Sequence, residues 1–474
     1  MTPILRARLN WLHRWTALVA GWIVFAIFFT GTLSLFDIEL TRWMQPESTE
    51  ILPEQPLSDQ ALEHAMQILR DDERQGKPSA FLSLPSARDP LLHIFRYDGH
   101  ALIGPVLDPH DGHFIATRQT EGGAFFFNFH YTLRLPSPWG EYLVALTTLF
   151  LSLLILSGVL LHLARLIPDY FTLRLQAATP RRLLDLHVLT GTAMLPFHIM
   201  ITWTGLFLLG NIAFPLVALE ATPAPPAVVE HHHLPTFPLA PLVHKTERLT
   251  GNTVTYILFS PKHISIYSLH PDSLSIHETP TTFDSVTGQA VAPPPPDRME
   301  RAEALFTGLH MAHTMGPVLR WLWFLGGLAA TVMVASGLVF HTARQRASAR
   351  QPTSPRLERL NAGIMSGLVF ASLAYLWANR LLPYEWEDRS MLEITTVFVL
   401  WGSTVLLAFG LPRPVLWTVP LTLTALAGLG LPLLDLLTGP SHLWRHSLFL
   451  SVDAVCALTG LAALSGALWM RPRT

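Results

Sequence analysis

The sequence predicts a membrane α-helical protein with about eight transmembrane helices. The first four form a pseudo-two-fold four-helix bundle, and two small α+β domains lie outside the membrane. Three observations carry this prediction. Only 14% of the 474 residues are Asp, Glu, Lys or Arg, against about 25% in ordinary soluble domains. Half the chain is apolar, with a mean hydropathy of +0.35. The chain also repeats itself across its first two-thirds. Together these exclude a soluble enzyme, a disordered protein and a nucleic-acid binder with a basic face. A net charge of −2 leaves no global field to steer a partner. The single cysteine, Cys456, excludes a disulfide scaffold, a thiolate zinc site and an iron–sulfur cluster carried by this chain alone. The unusual count is 22 histidines.

A helix needs roughly 20 apolar residues to cross the hydrocarbon core. Eight stretches meet or approach this: Trp15–Phe36, Tyr142–Leu163, Leu186–Leu209, Trp321–Phe340, Ala362–Leu382, Met391–Phe409, Val415–Leu437 and Ser447–Met470. The fifth and sixth have shorter apolar cores. Arginines set the orientation by the positive-inside rule. Arg6, Arg8 and Arg14 precede the first span; Arg165, Arg174, Arg181 and Arg182 follow the second. Arg344, Arg346, Arg350, Arg356 and Arg359 follow the fourth, and Arg471 and Arg473 end the chain. Eight spans put all four groups, and both termini, in the cytoplasm. The acidic loop Pro383–Ser390 then lies outside. No small-x-small cleavage site follows the long first span, which reads as an uncleaved anchor.

The predicted organisation is a first helix over residues 1–37, an external domain over 38–138, and a returning helix over 139–164. A third helix over 183–210, a second external domain over 211–317 and a fourth helix over 318–342 follow, with a four-helix extension over 360–474. In the first external segment Ser58 can cap a helix to Arg74 whose Ala61, Leu62, Ala65, Ile68 and Leu69 share a face. Strand-like runs follow at Ala80–Leu84, Leu91–Tyr97 and Leu107–Ala116, the last holding the turn Asp108–Gly112. The second segment offers Val254–Phe259, His263–Leu269 and a turn at Asp284–Gly288. Its Pro-rich runs Thr222–Ala227 and Pro293–Pro296 read as extended linkers.

The repeat is visible in histidine and glycine positions. Leu12-His13 leads to Thr30-Gly31 and Leu186-His187 to Thr204-Gly205, with identical spacing from His to Gly. Phe129-His130 leads to Ser157-Gly158 and Leu309-His310 to Ser336-Gly337, with spacings that differ by a single position. His162 and His341 match near the inner ends. The offset between the halves is nearly the same for every matched pair. The unit is a helix out, an external domain and a helix back, repeated in one orientation as in parallel-repeat membrane folds.

Each matched pair would face across the bundle axis, His13 with His187 at the cytoplasmic end and His130 with His310 at the outer end. Haem iron accepts two axial imidazoles, and a four-helix bundle can hold a porphyrin in its core. Small residues in each helix permit close approach. Two pairs at opposite ends would make two stacked haems and an electron path across the bilayer. Zinc normally wants three or four closer ligands. The triplet His231-His232-His233 reads as a solvated loop. A single His at a helix end is usually interfacial; four at repeat-equivalent positions are harder to explain that way. His198 lies near mid-membrane, about three helical turns after His187, so both rings lie on one face. It competes with His130 for the outer iron or bonds a propionate. His162, His341 and His313 are weaker candidates. Asp453, inside the last span, reads as paired with a neighbouring helix.

Leu12-His13-Arg14-Trp15, Thr30-Gly31-Thr32-Leu33, Phe129-His130-Tyr131, Leu186-His187, Leu195-Pro196-Phe197-His198, Thr204-Gly205 and Leu309-His310 together resemble the PepSY-associated transmembrane helix family, over about residues 5–345. The turns Leu107-Asp108-Pro109 and Asp284–Gly288 look like the closing hairpin of PepSY domains. The resemblance implies a bacterial inner-membrane protein that carries haem b, takes electrons from a cytoplasmic or quinol donor, and reduces a ferric siderophore outside. The extension over 360–474 has no counterpart in the smallest members. The competing reading is a haem-free anchor whose PepSY-like domains bind or restrain an external protein. A transporter would need broken helices and midplane charges, which the sequence does not suggest.

Overall fold

The computed structural model describes the chain except residues 51–55, 78–79, 98–101, 164–171, 211–233, 270–272, 277–279, 293–295, 349–353, 440–442, 444–445 and 471–474. The triplet His231–His233, the run Thr222–Ala227, most of Pro293–Pro296, and Arg165, Arg350, Arg471 and Arg473 lie outside the described residues. The chain divides into a helical unit (Met1–Met44, Gly123–Pro215 and Arg320–Thr474) and a sheet unit (Gln45–Gly122 and Leu216–Leu319).

In the helical unit, α1 spans Pro3–Ser34 and begins at Thr2, whose side chain accepts from the Leu5 amide. A short α2 (Asp37–Met44) follows. The next helix, α3 (Asp59–Arg74), belongs to the sheet unit. Back in the helical unit, α4 (Ala124–Thr132) leads into α5 (Trp139–His162). The third apolar stretch is not one straight helix. α6 (Thr179–Ala193) and α7 (Leu195–Leu208) meet at Met194 with a bend of 68°. Pro196 supplies the cause: it lacks an amide proton and its ring crowds the preceding turn. The bend corrects the unbroken-face argument that linked His187 to His198. It is also a broken span of the kind the sequence did not suggest.

Two further helices, α8 (Ala240–Thr250) and α9 (Arg298–Met311), belong to the sheet unit. The fourth predicted span is α10 (Pro317–Ala347). The extension contributes α11 (Pro355–Leu381), α12 (Arg389–Gly410), α13 (Thr418–Thr438) and α14 (Ser447–Trp469). Among the described residues, seven helices are long and apolar enough to cross a membrane, and eight spans result if α6 and α7 count as one.

Small residues let these helices close on one another. A Cβ on Gly21 of α1 would meet Leu338 of α10 at 2.9 Å, and one on Gly326 of α10 would meet the Phe197 ring of α7 at 2.8 Å. In the extension, Gly428 of α13 lies against the Cys456 carbonyl of α14. Helices in lipid gain stability from such packing because apolar burial there gives little. The extension also buries charge. Arg380 of α11 donates to Asp435 of α13 at 2.6 Å and to the Trp43 carbonyl at 2.8 Å, and stacks 3.8 Å from the Trp43 ring. Arg389 and Glu393 pair at 2.5 Å with neither side chain exposed. Asp453 sits beside this network, with its Oδ1 buried.

In the sheet unit, Ser58 caps α3 by accepting from the Ala61 amide, and most of the predicted apolar face is buried. The described strands are β1 (Ala80–Ser83), β2 (Leu92–Tyr97), β3 (Leu102–Ile103), β4 (Val106–Leu107), β5 (Phe114–Ile115), β6 (Val254–Phe259), β7 (His263–Ser268), β8 (Thr281–Asp284) and β9 (Ala290–Val291). The sequence reading assigned two separate external domains over 38–138 and 211–317. Instead, the strands form one antiparallel sheet, in the order β5-β4-β2-β1-β6-β7-β8-β9 with β3 on β2. The seam pairs Leu82 with Ile257 and Ser83 with Tyr256. Leu82, Ile94, Ile257 and Ile266 share one core with Ala65 and Leu69 of α3 and Val243 of α8. Each half alone would leave a strand edge open, a template for unwanted pairing; joining them removes two edges.

Candidate functional site

The helical unit encloses a cavity of about 610 Å³ near the N-terminal end of α1. His13, His187 and His198 line it, together with His162 and His341. Arg14, Arg344 and Asn10 add polar groups to its wall.

His13 of α1 and His187 of α6 come together there. Their ring centroids are 6.3 Å apart with planes at 76°. Each ring is held through Nδ1. His13 Nδ1 bonds Ser157 Oγ of α5 at 3.0 Å, and His187 Nδ1 donates to the Met333 carbonyl of α10 at 2.7 Å. The Met333 carbonyl can only accept, so His187 carries its proton on Nδ1; Ser157 Oγ donates to the Leu153 carbonyl at 2.7 Å and so accepts from His13 Nδ1. Nε2 is thus the ligating atom available on each ring. Two metal–nitrogen bonds of about 2.0 Å, plus roughly 1.1 Å from each nitrogen to its ring centre, require centroids about 6 Å apart.

Glycines make the seats for these rings. Gly337 of α10 faces His187 so closely that a Cβ would lie 2.8 Å from Nδ1. Gly158 of α5 faces His13, with the corresponding distance 3.4 Å to Cε1. These are the Ser-Gly pairs noted in the sequence, and each seats a histidine from another helix.

His130 of α4 occupies a different seat. Its Nδ1 donates to the Ile27 carbonyl of α1 at 2.8 Å, and Gly31 gives it room: a Cβ there would lie 2.5 Å from Nδ1. His198 of α7 is 1% exposed. Its ring bonds the Gly191 backbone across the bend, while Nε2 is buried without a hydrogen-bond partner. His310 lies near the C-terminal end of α9 in the sheet unit. Residues 10–344 match the model of the PepSY-associated TM region.

The chain belongs to this PepSY-associated family. It is also 29% identical over 350 residues to the uncharacterized protein PA4219 of Pseudomonas aeruginosa, covering 64% of this chain and 83% of that protein. Every histidine just described falls inside the family match; α11 to α14 lie beyond it.

Sequence reasoning named the histidines of this PepSY-associated protein but missed what anchors them. The Met333 and Ile27 carbonyls have no side-chain signature. Ser157 was visible as part of the Ser-Gly pair, though its role as a partner of His13 was not. The arrangement can hold a flat, metal-centred ligand between α1 and α6, with Arg14 and Arg344 available for acidic substituents. It contains no preformed nucleophile–base pair among the described residues of the cavity wall.

Proposed function

We propose that the protein is a b-type di-haem oxidoreductase of the bacterial inner membrane that moves electrons outward to reduce a ferric chelate such as a ferric siderophore. The observation that carries this reading is the His13–His187 pair, with a 6.3 Å centroid separation and both Nδ1 atoms engaged. Buried histidines in a membrane bundle are functional by default, and this pair has the spacing and tautomer of bis-imidazole ligation. The cavity volume also falls in the range of about 300–1,000 Å³ that suits organic cofactors.

In this reading His13 and His187 hold the inner haem, which supplies one-electron transfer when bound. Ser157 and the Met333 carbonyl keep both imidazoles in the ligating tautomer. Gly158 and Gly337 give the rings room, and Arg14 and Arg344 offset the charge of propionates. His130, anchored on Ile27 and Gly31, supplies an outer ligand, with His198 the alternative; His310 is its counterpart in the sequence repeat. A cytoplasmic or quinol donor provides the electron, and one electron converts iron(III) to iron(II) in the chelate. Iron(II) binds hydroxamate or catecholate oxygens far less strongly, so reduction releases it.

A reduced-minus-oxidised visible spectrum of protein purified from haem-replete cells tests this reading. Non-covalent b-type bands and about two haems per chain are expected. A colourless preparation would overturn it in favour of the haem-free anchor.

A further inference from the structure

The four helices beyond the family match pack against the bundle, and one side chain joins them to two of the helices that line the histidine cavity. Asn361 of α11 is fully buried. Its Oδ1 accepts from Trp22 Nε1 of α1 at 2.9 Å, and its Nδ2 donates to the Leu338 carbonyl of α10 at 3.1 Å. The two contacts close a ring. Trp22 is adjacent to Gly21, and Gly21 is where the Leu338 side chain lies against α1. Leu338 in turn is adjacent to Gly337, the seat of His187. A π-helical turn at Ala362–Ser366 follows Asn361 immediately. There the backbone of α11 closes on α12: a Cβ on Gly363 would lie 2.7 Å from the Val405 Cα. π-turns interrupt regular helices and recur at functional positions.

We infer that Asn361 is a positioning residue: it clamps α1 to α10 and thereby fixes the seat of His187 relative to His13. The inference rests on the haem reading for its functional meaning. An amide suits the role because it offers one acceptor and one donor in a fixed plane. Both are used here in a buried site, where a lost partner is costly. The clamp is one-sided. It grips α1 and α10, while α5, which seats His13 through Gly158, has no such bridge to α11 among the hydrogen bonds of the described residues. The extension therefore acts on the contact between α1, which carries His13, and α10, which seats His187, and not on α5.

The test compares wild type with Asn361→Leu and, as a milder lesion, Trp22→Phe, which deletes the first hydrogen bond, trims the ring and keeps the second hydrogen bond. The low-spin ferric signal of a bis-imidazole haem responds to the angle between its ligand planes, so electron paramagnetic resonance and redox titration read ligand geometry rather than folding. Both variants should retain two haems. Asn361→Leu should shift the signal and midpoint potential of one haem and leave the other unchanged; Trp22→Phe should shift the same haem less. Unchanged signals, or equal shifts in both haems, would overturn the inference.

Hydrogen exchange gives a readout independent of haem. Asn361→Leu should speed exchange in residues 334–342 of α10 several-fold and leave residues 154–162 of α5 unchanged. Equal effects on both segments would also overturn the inference. If wild type binds no haem, the oxidoreductase reading fails by itself, and the exchange comparison still decides whether Asn361 is the clamp. Should Asn361→Leu not fold, Trp22→Phe carries both measurements.

Discussion

The imidazole rings of His13 and His187, one from each half of the sequence repeat, lie 6.3 Å apart and nearly perpendicular in the helical unit. Neither ring is held by its partner. Each is anchored through Nδ1 to a different helix, α5 for His13 and α10 for His187. The spacing of the pair therefore depends on four helices at once, and small changes in the glycine seats should reach it.

Gly337→Ala should displace His187, because a Cβ there would meet Nδ1 at 2.8 Å. Gly158→Ala should be tolerated, since its Cβ would meet His13 at 3.4 Å, an ordinary contact. Overpacking of this kind costs about 1–3 kcal/mol. Haem content of the two purified variants checks the difference: Gly337→Ala loses one haem, Gly158→Ala keeps both.

Gly31→Ala and His130→Ala should share a phenotype. The first pushes on the His130 ring, 2.5 Å from the added Cβ; the second removes it. Both should lose reduction of an external ferric chelate in membrane vesicles while the inner haem is still reduced by its donor. His13→Ala should instead block electron entry, leaving the outer haem reducible by an external reductant.

His198→Leu should act differently in the two states of the protein. Without haem it removes a buried Nε2 that has no partner but also the ring's bond to the Gly191 backbone, so the two effects should offset and stability should change by less than about 1 kcal/mol. With haem it should lower the melting temperature if that nitrogen is a ligand. Thermal unfolding with and without haem measures the difference.

The buried pair in the extension should show strong coupling. Arg380→Leu leaves Asp435 without its 2.6 Å partner and should cost about 3–5 kcal/mol. The double variant Arg380→Leu/Asp435→Leu should recover most of that loss. A double-mutant cycle by thermal unfolding checks it.

Asp284 gives the sheet unit a pH-dependent turn. Its carboxylate accepts from the Val286 and Thr287 amides and from the Thr287 hydroxyl, which hold its pKa below the ordinary carboxylate value. A lowered folded-state pKa means the contribution is present above the unfolded pKa and lost as pH falls through the folded one. The protection of residues 284–289 against hydrogen exchange, taken relative to the intrinsic rate at each pH, should therefore fall below about pH 4, and Asp284→Asn should abolish that change.

The membrane spans were legible in the sequence because hydropathy is a local property. His13, His187, His130 and His310 were legible because the repeat marked them, and His198 because it falls inside an apolar run. The break at Met194 had a local signal in Pro196, yet the apolar run continued through it and concealed the bend. The single sheet was not legible: the seam joins Leu82 to Ile257, and no local pattern encodes a pairing across that distance. The anchors of His130 and His187 were hidden for a related reason, since backbone carbonyls carry no residue identity. Asn361 was equally unmarked, an ordinary polar residue at a helix start until its two partners are seen.

The most direct test of the account is the haem-to-protein ratio of wild type and His187→Ala, measured side by side by pyridine haemochrome. The account predicts about two haems per chain in wild type and one in His187→Ala, with the remaining haem still low-spin. Two low-spin haems in both proteins, or none in either, would contradict the assignment of His13 and His187 as a ligand pair.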